Sequence, residues 1–127
     1  MYANGANDLM IGMDQKDVML GWGGNDVLIG EGGDDILVGG EGNDVLWGGA
    51  GNDVFFGGQG NDVMYGGADN DTYFIGPNED IDTIEDKEGN NRIYLCAKEI
   101  RFFYYDEEGA TYRSLDGSQT LVKSTGE

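Results

Sequence analysis

Aspartates recur at every ninth position through the first 71 residues of the chain. Eight positions share this register: Asp8, Asp17, Asp26, Asp35, Asp44, Asp53, Asp62 and Asp71. An apolar side chain follows each of these ladder aspartates by two residues: Met10, Met19, Leu28, Leu37, Leu46, Phe55, Met64 and Tyr73. A fixed short period of this kind indicates a solenoid, in which each repeat packs against its neighbours.

The best-preserved units lie between residues 21 and 74 and read GWGGNDVLI, GEGGDDILV, GGEGNDVLW, GGAGNDVFF, GGQGNDVMY and GGADNDTYF. The last three positions of each unit are mostly apolar or β-branched and favour a very short strand. The glycine-rich first six positions favour a turn. The middle residue of a three-residue strand points opposite to its neighbours, so the residues from Met10 to Tyr73 are predicted to fill a thin core between two parallel sheets.

Two units would complete one coil, which places the turns of alternate units on the same edge. The well-preserved ladder aspartates then form two rows: Asp26, Asp44 and Asp62 on one edge, and Asp35, Asp53 and Asp71 on the other. Stacked strands lie about 4.8 Å apart, and bare carboxylates at that spacing repel by about 1 kcal/mol in water and several-fold more inside a protein. A cation between the rungs removes this repulsion, and oxygen ligands with tolerant geometry favour Ca²⁺ over Mg²⁺.

The composition excludes several other functions. The net charge is −18, from 25 acidic and 7 basic residues, so nucleic acid and anionic membranes are poor partners. The absence of histidine removes the commonest general base and transition-metal ligand. No pair of nucleophile and base can be named either, so we expect no enzymatic activity in this chain.

Targeting and cysteine signals are sparse. No apolar run reaches the roughly 20 residues that span a bilayer, and the first twenty residues do not resemble a cleavable signal peptide. The single cysteine, Cys96, cannot form an internal disulfide, and a small buried hydrophobe is favoured there over a reactive thiol.

The units match the motif GGxGxDxUx, and the chain therefore resembles the RTX (repeats-in-toxin) calcium-binding proteins. The resemblance covers residues 4–74, through six good and two degraded copies. It implies an all-β fold, a right-handed parallel β-roll with two nonapeptides per coil and a small C-terminal β-cap. It also implies calcium ions between successive turns of an edge, each held by two motif aspartates and by main-chain carbonyls of positions one to four.

Carried over to this chain, the resemblance predicts four ions, joining Asp26 to Asp44, Asp44 to Asp62, Asp35 to Asp53, and Asp53 to Asp71. The carbonyl donors would come from Gly21, Gly23, Gly30, Gly32, Gly33, Gly39, Gly40, Gly42, Gly48, Gly49, Gly51, Gly57, Gly58, Gly60 and Gly67. Further ligands would be Asp8, Asp17 and Asp82, for a total of roughly four to six Ca²⁺ ions. Strict nine-residue counting selects Asp80 instead of Asp82.

Departures from the motif mark both ends of the array. Ala6 and Gln15 replace the fourth-position glycine beside Asp8 and Asp17, and Asp69 does so beside Asp71. Asn91 stands where a further aspartate would fall, so we expect metal binding to end there.

Composition divides the chain into four regions, because 19 of the 24 glycines precede Phe74. We predict degraded repeats over 1–20, the core β-roll over 21–74, exit turns over 75–92 and a β-rich capping segment over 93–127. Strand-like runs at 100–105, 111–115 and 118–122, with a turn at Asp116 and Gly117, support the last region.

By resemblance, the chain is a module of a larger secreted bacterial protein, such as a toxin, adhesin or exoenzyme, exported by type I secretion from a Gram-negative cell. The final LVKSTGE is a poor secretion signal, which suggests a fragment with an upstream domain. We expect disorder without Ca²⁺ and folding on Ca²⁺ binding outside the cell.

Two alternatives remain open: a calcium-dependent polysaccharide-binding module similar to the R-modules of alginate epimerases, or an adhesin module for a host-surface ligand. Apolar residues predicted to point outward bear on them, namely Ile29, Trp47 and Tyr65 on one face and Val38, Phe56 and Phe74 on the other. Strand propensity and contact with a neighbouring segment explain these residues more simply than a ligand platform. An ice-binding solenoid is disfavoured, because no regular outward row of Thr or Asn occurs.

Overall fold

The computed structural model describes residues 1–76, 81–86, 88–95, 103–106, 111–114 and 120–122. All regular structure within these ranges is β-strand. In chain order the strands are β1 (Leu9–Ile11), β2 (Val18–Leu20), β3 (Val27–Gly32), β4 (Ile36–Glu41), β5 (Val45–Ala50), β6 (Val54–Gln59), β7 (Val63–Gly67), β8 (Thr72–Ile75), β9 (Thr83–Glu85), β10 (Arg92–Leu95), β11 (Phe103–Asp106), β12 (Thr111–Ser114) and β13 (Thr120–Val122).

Consecutive strands alternate between two parallel five-stranded sheets. One sheet has the order β1-β3-β5-β7-β9, and the other has the order β10-β8-β6-β4-β2. Leu28 pairs with Leu46, and Leu46 pairs with Met64, so each coil advances the chain by 18 residues. The predicted parallel β-roll, with two nonapeptides per coil, is confirmed.

The core is a single file of side chains between the two sheets. The residue in the middle of each strand triplet is buried, as predicted: Met10, Met19, Leu28, Leu37, Leu46, Phe55, Met64 and Tyr73. Ile75 and Ile84 extend this core, and the rings of Phe55 and Tyr73 stack at 4.8 Å. Burying each large apolar side chain stabilises the roll by about 1.5–3 kcal/mol, but a file one residue wide contains few of them.

The coils lengthen by two residues after β8. Thr83 pairs with Val63 and Arg92 pairs with Thr72, so the register changes from 18 to 20 residues. The sheets nevertheless continue in parallel, and β10 extends the second sheet as far as Leu95.

The last three strands form a separate antiparallel sheet, in the order β11-β12-β13. Their ranges fall within or overlap the strand-like runs predicted from the sequence. The strand β13 lies beside β9, the last strand of the first parallel sheet. The predicted turn at Asp116 and Gly117, and Cys96, lie outside the described residues.

Candidate metal centre

Hydrogen bonds between coils hold the ladder aspartates in their rows. In each row, the backbone amide of one ladder aspartate donates to Oδ1 of the ladder aspartate one coil later. The donor and acceptor pairs, at 2.8–2.9 Å, are Asp8 and Asp26, Asp17 and Asp35, Asp26 and Asp44, Asp35 and Asp53, Asp44 and Asp62, and Asp53 and Asp71. The repeat therefore produces the two carboxylate rows that the sequence predicts.

Both rows continue into the longer coils. The amide of Asp62 donates to Oδ1 of Asp82 at 3.0 Å, and the amide of Asp71 donates to Oδ1 of Asn91 at 2.8 Å. Asp82 is buried like the ladder aspartates before it. Asp82 thus continues one row as a carboxylate and Asn91 continues the other as an amide, whereas Asp80 lies outside the described residues.

The second carboxylate oxygen of five ladder residues is buried and accepts no hydrogen bond. These are the Oδ2 atoms of Asp26, Asp35, Asp44, Asp53 and Asp71, whose side chains are at most 1% exposed. A buried anionic oxygen without a donor is strongly destabilising unless a cation neutralises it. Among the described residues, no hydrogen-bond donor reaches these five oxygens, so the arrangement suits an external cation.

The two N-terminal ladder aspartates differ from these five. Asp8 and Asp17 are only half-buried. Their Oδ2 atoms accept hydrogen bonds from the amides of Asn4 at 3.1 Å and Met13 at 2.8 Å. The main chain therefore satisfies the oxygen that the inner coils leave without a donor.

First-position glycines form the wall against which each Oδ2 lies. A Cβ atom added to Gly39 would collide with Oδ2 of Asp44 and would lie 2.7 Å from the carbonyl oxygen of Gly57, one coil later. The same convergence of a carboxylate and a carbonyl oxygen occurs at Gly21, Gly30 and Gly48. Each pair of oxygens meets at one point beside a glycine, and any larger residue would fill that point.

Second-position and fourth-position glycines instead allow a backbone conformation with positive φ. Positive φ angles of 91–112° occur at Gly33, Gly40, Gly42, Gly49, Gly51, Gly58, Gly60 and Gly67. Trp22, Glu31 and Asp69 adopt the same region with side chains, at φ 74°, 80° and 73°. Residues other than glycine are strained there by about 1–3 kcal/mol.

The third-position glycines among the predicted donors are less constrained. Gly23 and Gly32 are not among the residues with positive φ. A Cβ on Gly23 would have its nearest neighbour, the Cα of Gly5, at 3.7 Å, which is an ordinary contact. Glycine is therefore not sterically required at position 23, whereas a Cβ on Gly32 would lie tightly against Asp14, 3.1 Å from its Oδ1.

Burial changes the acidity of the rows. It raises the pKa of Asp44 to about 6, of Asp53 to about 7 and of Asp71 to about 8, and it raises that of Asp35 as well. The amide hydrogen bond from the preceding coil opposes the rise, and neighbouring carboxylates add to it. In the metal-free rows, burial therefore favours the protonated, uncharged form of these carboxyls.

A family model described as RTX calcium-binding nonapeptide repeat (4 copies) matches residues 2–37, 38–73 and 78–95. These segments cover well over half of the 127 residues. The chain belongs to the RTX calcium-binding nonapeptide repeat family. No curated protein sequence matches it significantly.

The residues of this RTX chain fit the calcium that the family implies. The convergent atoms are carboxylate and main-chain carbonyl oxygens, which are the ligands that Ca²⁺ prefers. Within the described ranges no three side chains of His, Cys, Asp or Glu gather into a metal-binding group. Carbonyl oxygens lie beside the carboxylates and would complete the coordination, and an all-oxygen ligand set suits a hard cation better than a transition metal.

A second ladder in the RTX coils was missed by the sequence reasoning. At the fifth position of most units, a side-chain Oδ1 accepts a hydrogen bond of 2.7–2.9 Å from the backbone amide of the fifth-position residue one coil later. The accepting residues are Asn7, Asn25, Asn43, Asp34, Asn52 and Asn70. This direction is opposite to that of the ladder aspartates. The asparagine that precedes most of the ladder aspartates is the sequence signal that could have predicted this second ladder.

The RTX coils also contain functional positions beyond the predicted set. Gly66 belongs with the first-position glycines, since an added Cβ would collide with Oδ2 of Asp71.

The described residues contain no helix long and apolar enough to cross a bilayer.

Proposed function

We propose that this chain is a calcium-dependent folding module of a larger secreted protein. The observation that carries the proposal is the row of buried Oδ2 atoms without hydrogen-bond donors, of which those of Asp26, Asp35, Asp44 and Asp53 each lie beside a carbonyl oxygen of the next coil. Family membership supports Ca²⁺ as the ion. Binding and folding are then the same event, because the carboxylates of successive coils meet only in the roll.

The inner coils would hold four ions, at the pairs Asp26 and Asp44, Asp44 and Asp62, Asp35 and Asp53, and Asp53 and Asp71. A further ion at Asp62 and Asp82 is supported by the burial of Asp82 and its ladder hydrogen bond. At Asp8 and Asp17 the amide bonds to Oδ2 compete with a cation and weaken binding. The expected total stays at roughly four to six ions.

Without calcium the roll lacks a sufficient driving force. Residues 1–74 have 13 acids and one base, a net charge of −12, and 19 glycines, which lose much entropy on folding. The core is one residue wide, and the buried carboxylates oppose folding. Each Ca²⁺ offsets two negative charges, and extracellular modules bind at roughly 10⁻⁴–10⁻³ M. The chain would thus stay unfolded in a low-calcium cytosol and fold outside.

A calcium titration followed by far-ultraviolet circular dichroism tests this proposal. We expect a coil-like spectrum without metal and a cooperative rise of β-structure at submillimolar to millimolar Ca²⁺. Mg²⁺ at the same concentrations should produce little change, because it keeps its water ligands. A β-roll spectrum that chelation leaves unaltered would rule the proposal out.

The parent protein is proposed to be a bacterial toxin, adhesin or exoenzyme, exported by type I secretion from a Gram-negative cell, with a domain upstream of the roll. The module itself is proposed to be non-catalytic. Its role would be to support secretion and to promote folding of its neighbour. Fusion to an upstream reporter domain tests this role, since refolding of the reporter should then accelerate with Ca²⁺.

The second candidate function, calcium-dependent glycan binding, is favoured by aromatic rows on the outer faces. Trp47 stacks on Tyr65 at 3.9 Å, and Phe56, Phe74 and Tyr94 stack in series on the opposite face. A groove beside Trp47 also contains Glu31, Glu85 and Glu88. Stacking covers the ring faces that a sugar would use, and the acids repel polyanions unless Ca²⁺ bridges them. A glycan array in Ca²⁺ separates this function from the first.

A further inference from the structure

Three polar side chains meet at the exit end of one edge of the roll. Three atoms lie so close to Gly66 that a Cβ added there would collide with each of them. They are Oδ2 of Asp71, Oδ2 of Asp86 and the hydroxyl oxygen of Tyr73. Asp71 and Asp86 are 1% and 2% exposed. The first-position glycines before Gly66 each face one such carboxylate, whereas Gly66 faces two.

The second carboxylate occupies a place that a main-chain oxygen takes in earlier coils. Tyr65 pairs with Glu85, so Asp86 directly follows Glu85 as Gly66 directly follows Tyr65 one coil earlier. One coil earlier, the atom that meets Oδ2 of Asp53 beside Gly48 is the carbonyl oxygen of Gly66. Beside Gly66, Oδ2 of Asp86 stands in that place and brings a negative charge with it.

The same edge lacks a ladder carboxylate in its last coil. Oδ1 of Asn91 accepts the amide of Asp71 at 2.8 Å, and its Nδ2 donates to the carbonyl of Glu88 at 2.9 Å. The amide therefore holds the coil but supplies no charge. Asp86 restores the missing carboxylate from a different position of the unit.

The opposite edge shows the complementary arrangement. Its ladder position is an aspartate, Asp82. Phe56 pairs with Phe74, so Ile75, the last residue of β8, follows Phe74 as Gly57 follows Phe56, and it is a core residue. Each edge therefore ends with a pair of carboxylates, Asp62 with Asp82 on one and Asp71 with Asp86 on the other. The carboxylate that is missing at Asn91 is thus supplied by Asp86, and both edges end with the same number of carboxylates.

Hydrogen bonding leaves the Asp71 and Asp86 pair incomplete. Oδ2 of Asp71 accepts no hydrogen bond and points at Oδ2 of Asp86, another acceptor. The donor to Oδ2 of Asp86 is the hydroxyl of Tyr73, at 2.6 Å, and the stacked ring of Phe55 fixes that phenol. The Oδ1 atoms accept main-chain amides, of Asp53 for Asp71 and of Glu88 at 3.2 Å for Asp86. The two facing Oδ2 atoms have only the Tyr73 hydroxyl as a donor, so they can both be ionised only with a positive charge beside them.

We propose that Asp71 and Asp86 bind a divalent cation of the calcium type at the exit end of this edge, with Tyr73 as a positioning residue. This cation is additional to the one between Asp53 and Asp71, and the inference rests on the proposed calcium-binding function. The site lies in the last coil of its edge, so it closes the row against unfolding from that end.

Native mass spectrometry in saturating Ca²⁺ counts the bound ions and tests the site. We expect D86N to carry one ion fewer than the unsubstituted chain. E88Q is the matched control, because Glu88 is exposed in the same turn and the substitution removes the same charge. We expect E88Q to keep the full number of ions.

A double variant, D86N/N91D, keeps the test decisive if D86N fails to fold. It returns the carboxylate to the ladder position, so we expect it to regain both β-structure in Ca²⁺ and the full ion count. An unchanged ion count in D86N overturns this inference, as does a double variant that stays unfolded. An unsubstituted chain that binds no Ca²⁺ contradicts the proposed function itself, a separate result.

Discussion

The backbone amide of Asp35 donates a hydrogen bond at 2.8 Å to Oδ1 of Asp53, eighteen residues later in the chain. The other oxygen of Asp53, Oδ2, is buried and accepts no hydrogen bond. One oxygen of the same carboxylate thus fixes the spacing of two coils, and the other is available to a cation. Substitution of a single ladder side chain therefore affects both coil spacing and cation binding.

Two neighbouring aspartates in one turn distinguish the loss of a calcium ligand from the loss of a surface charge. Asp35 is a buried ladder residue, whereas Asp34 is exposed at a position that is asparagine in most units. We expect D35N to raise the Ca²⁺ midpoint of folding at least tenfold, about 1.4 kcal/mol, because it removes a carboxylate ligand. D34N should leave the midpoint within twofold. Equal effects of the two substitutions in calcium titrations would contradict the assignment.

First-position and third-position glycines should respond oppositely to alanine. At Gly39 the added Cβ meets Oδ2 of Asp44 and the carbonyl of Gly57, so G39A should destabilise the calcium-loaded roll by about 1–3 kcal/mol. At Gly23 the nearest atom is 3.7 Å away, and G23A should be neutral or stabilising by less than about 1 kcal/mol. Urea unfolding in Ca²⁺ measures both. A G39A variant as stable as G23A would show that the space between Gly39, Oδ2 of Asp44 and the carbonyl of Gly57 has room for a methyl group.

The strained second position predicts a stabilising substitution. Glu31 has a φ of 80°, where glycine is unstrained, so E31G should stabilise the roll by about 1 kcal/mol. Glu41 is exposed at the third position of the next unit and is not among the residues with positive φ, so E41G should destabilise the roll by about 0.5–1 kcal/mol. Thermal unfolding in Ca²⁺ compares the pair, and a lower melting temperature for E31G would contradict the strain.

The raised pKa values of the buried carboxyls predict opposite pH effects with and without metal. Folding raises the pKa of Asp44, Asp53 and Asp71 to about 6, 7 and 8, from about 4 in the unfolded chain. Their protonated forms favour the metal-free roll fully below pH 4, and that contribution disappears as the pH rises through 6 to 8. The metal-free chain should therefore gain β-structure on acidification from pH 8 to 5.

Calcium binding should change in the other direction over the same range, because protons compete for the same carboxylates. The Ca²⁺ midpoint of folding should rise as the pH falls from 8 to 5. Circular dichroism at unit pH steps, with and without Ca²⁺, measures both trends. A Ca²⁺ midpoint of folding that does not change with pH would mean that the carboxylates with raised pKa values are not calcium ligands.

Much of the roll was predictable because one period carries two signals. The aspartates at every ninth residue specify the edges, and the apolar residues two positions later specify the core from Met10 to Tyr73. Both follow from local alternation and need no knowledge of how coils are offset. The predicted outward aromatics follow from the same alternation, and the stacking of Trp47 on Tyr65 is consistent with it.

Contacts between coils were beyond the reach of sequence reasoning. The asparagine ladder through Asn25 and Asn43 depends on the axial offset of successive turns, which the sequence does not state. The same is true of the two classes of glycine, since only the folded turn separates a missing Cβ at Gly39 from a positive φ at Gly40. The carboxylate of Asp86 was missed because it follows a strand and not a glycine-rich turn.

Amide hydrogen exchange at the ladder residues tests the central claim most directly. The amides of Asp26, Asp35, Asp44 and Asp53 each donate to a carboxylate one coil later. If calcium holds those carboxylates in place, the amides should be strongly protected in millimolar Ca²⁺ and should exchange at unprotected rates after chelation. Equal protection in both conditions would show that the coils stack without the ion and would contradict the account.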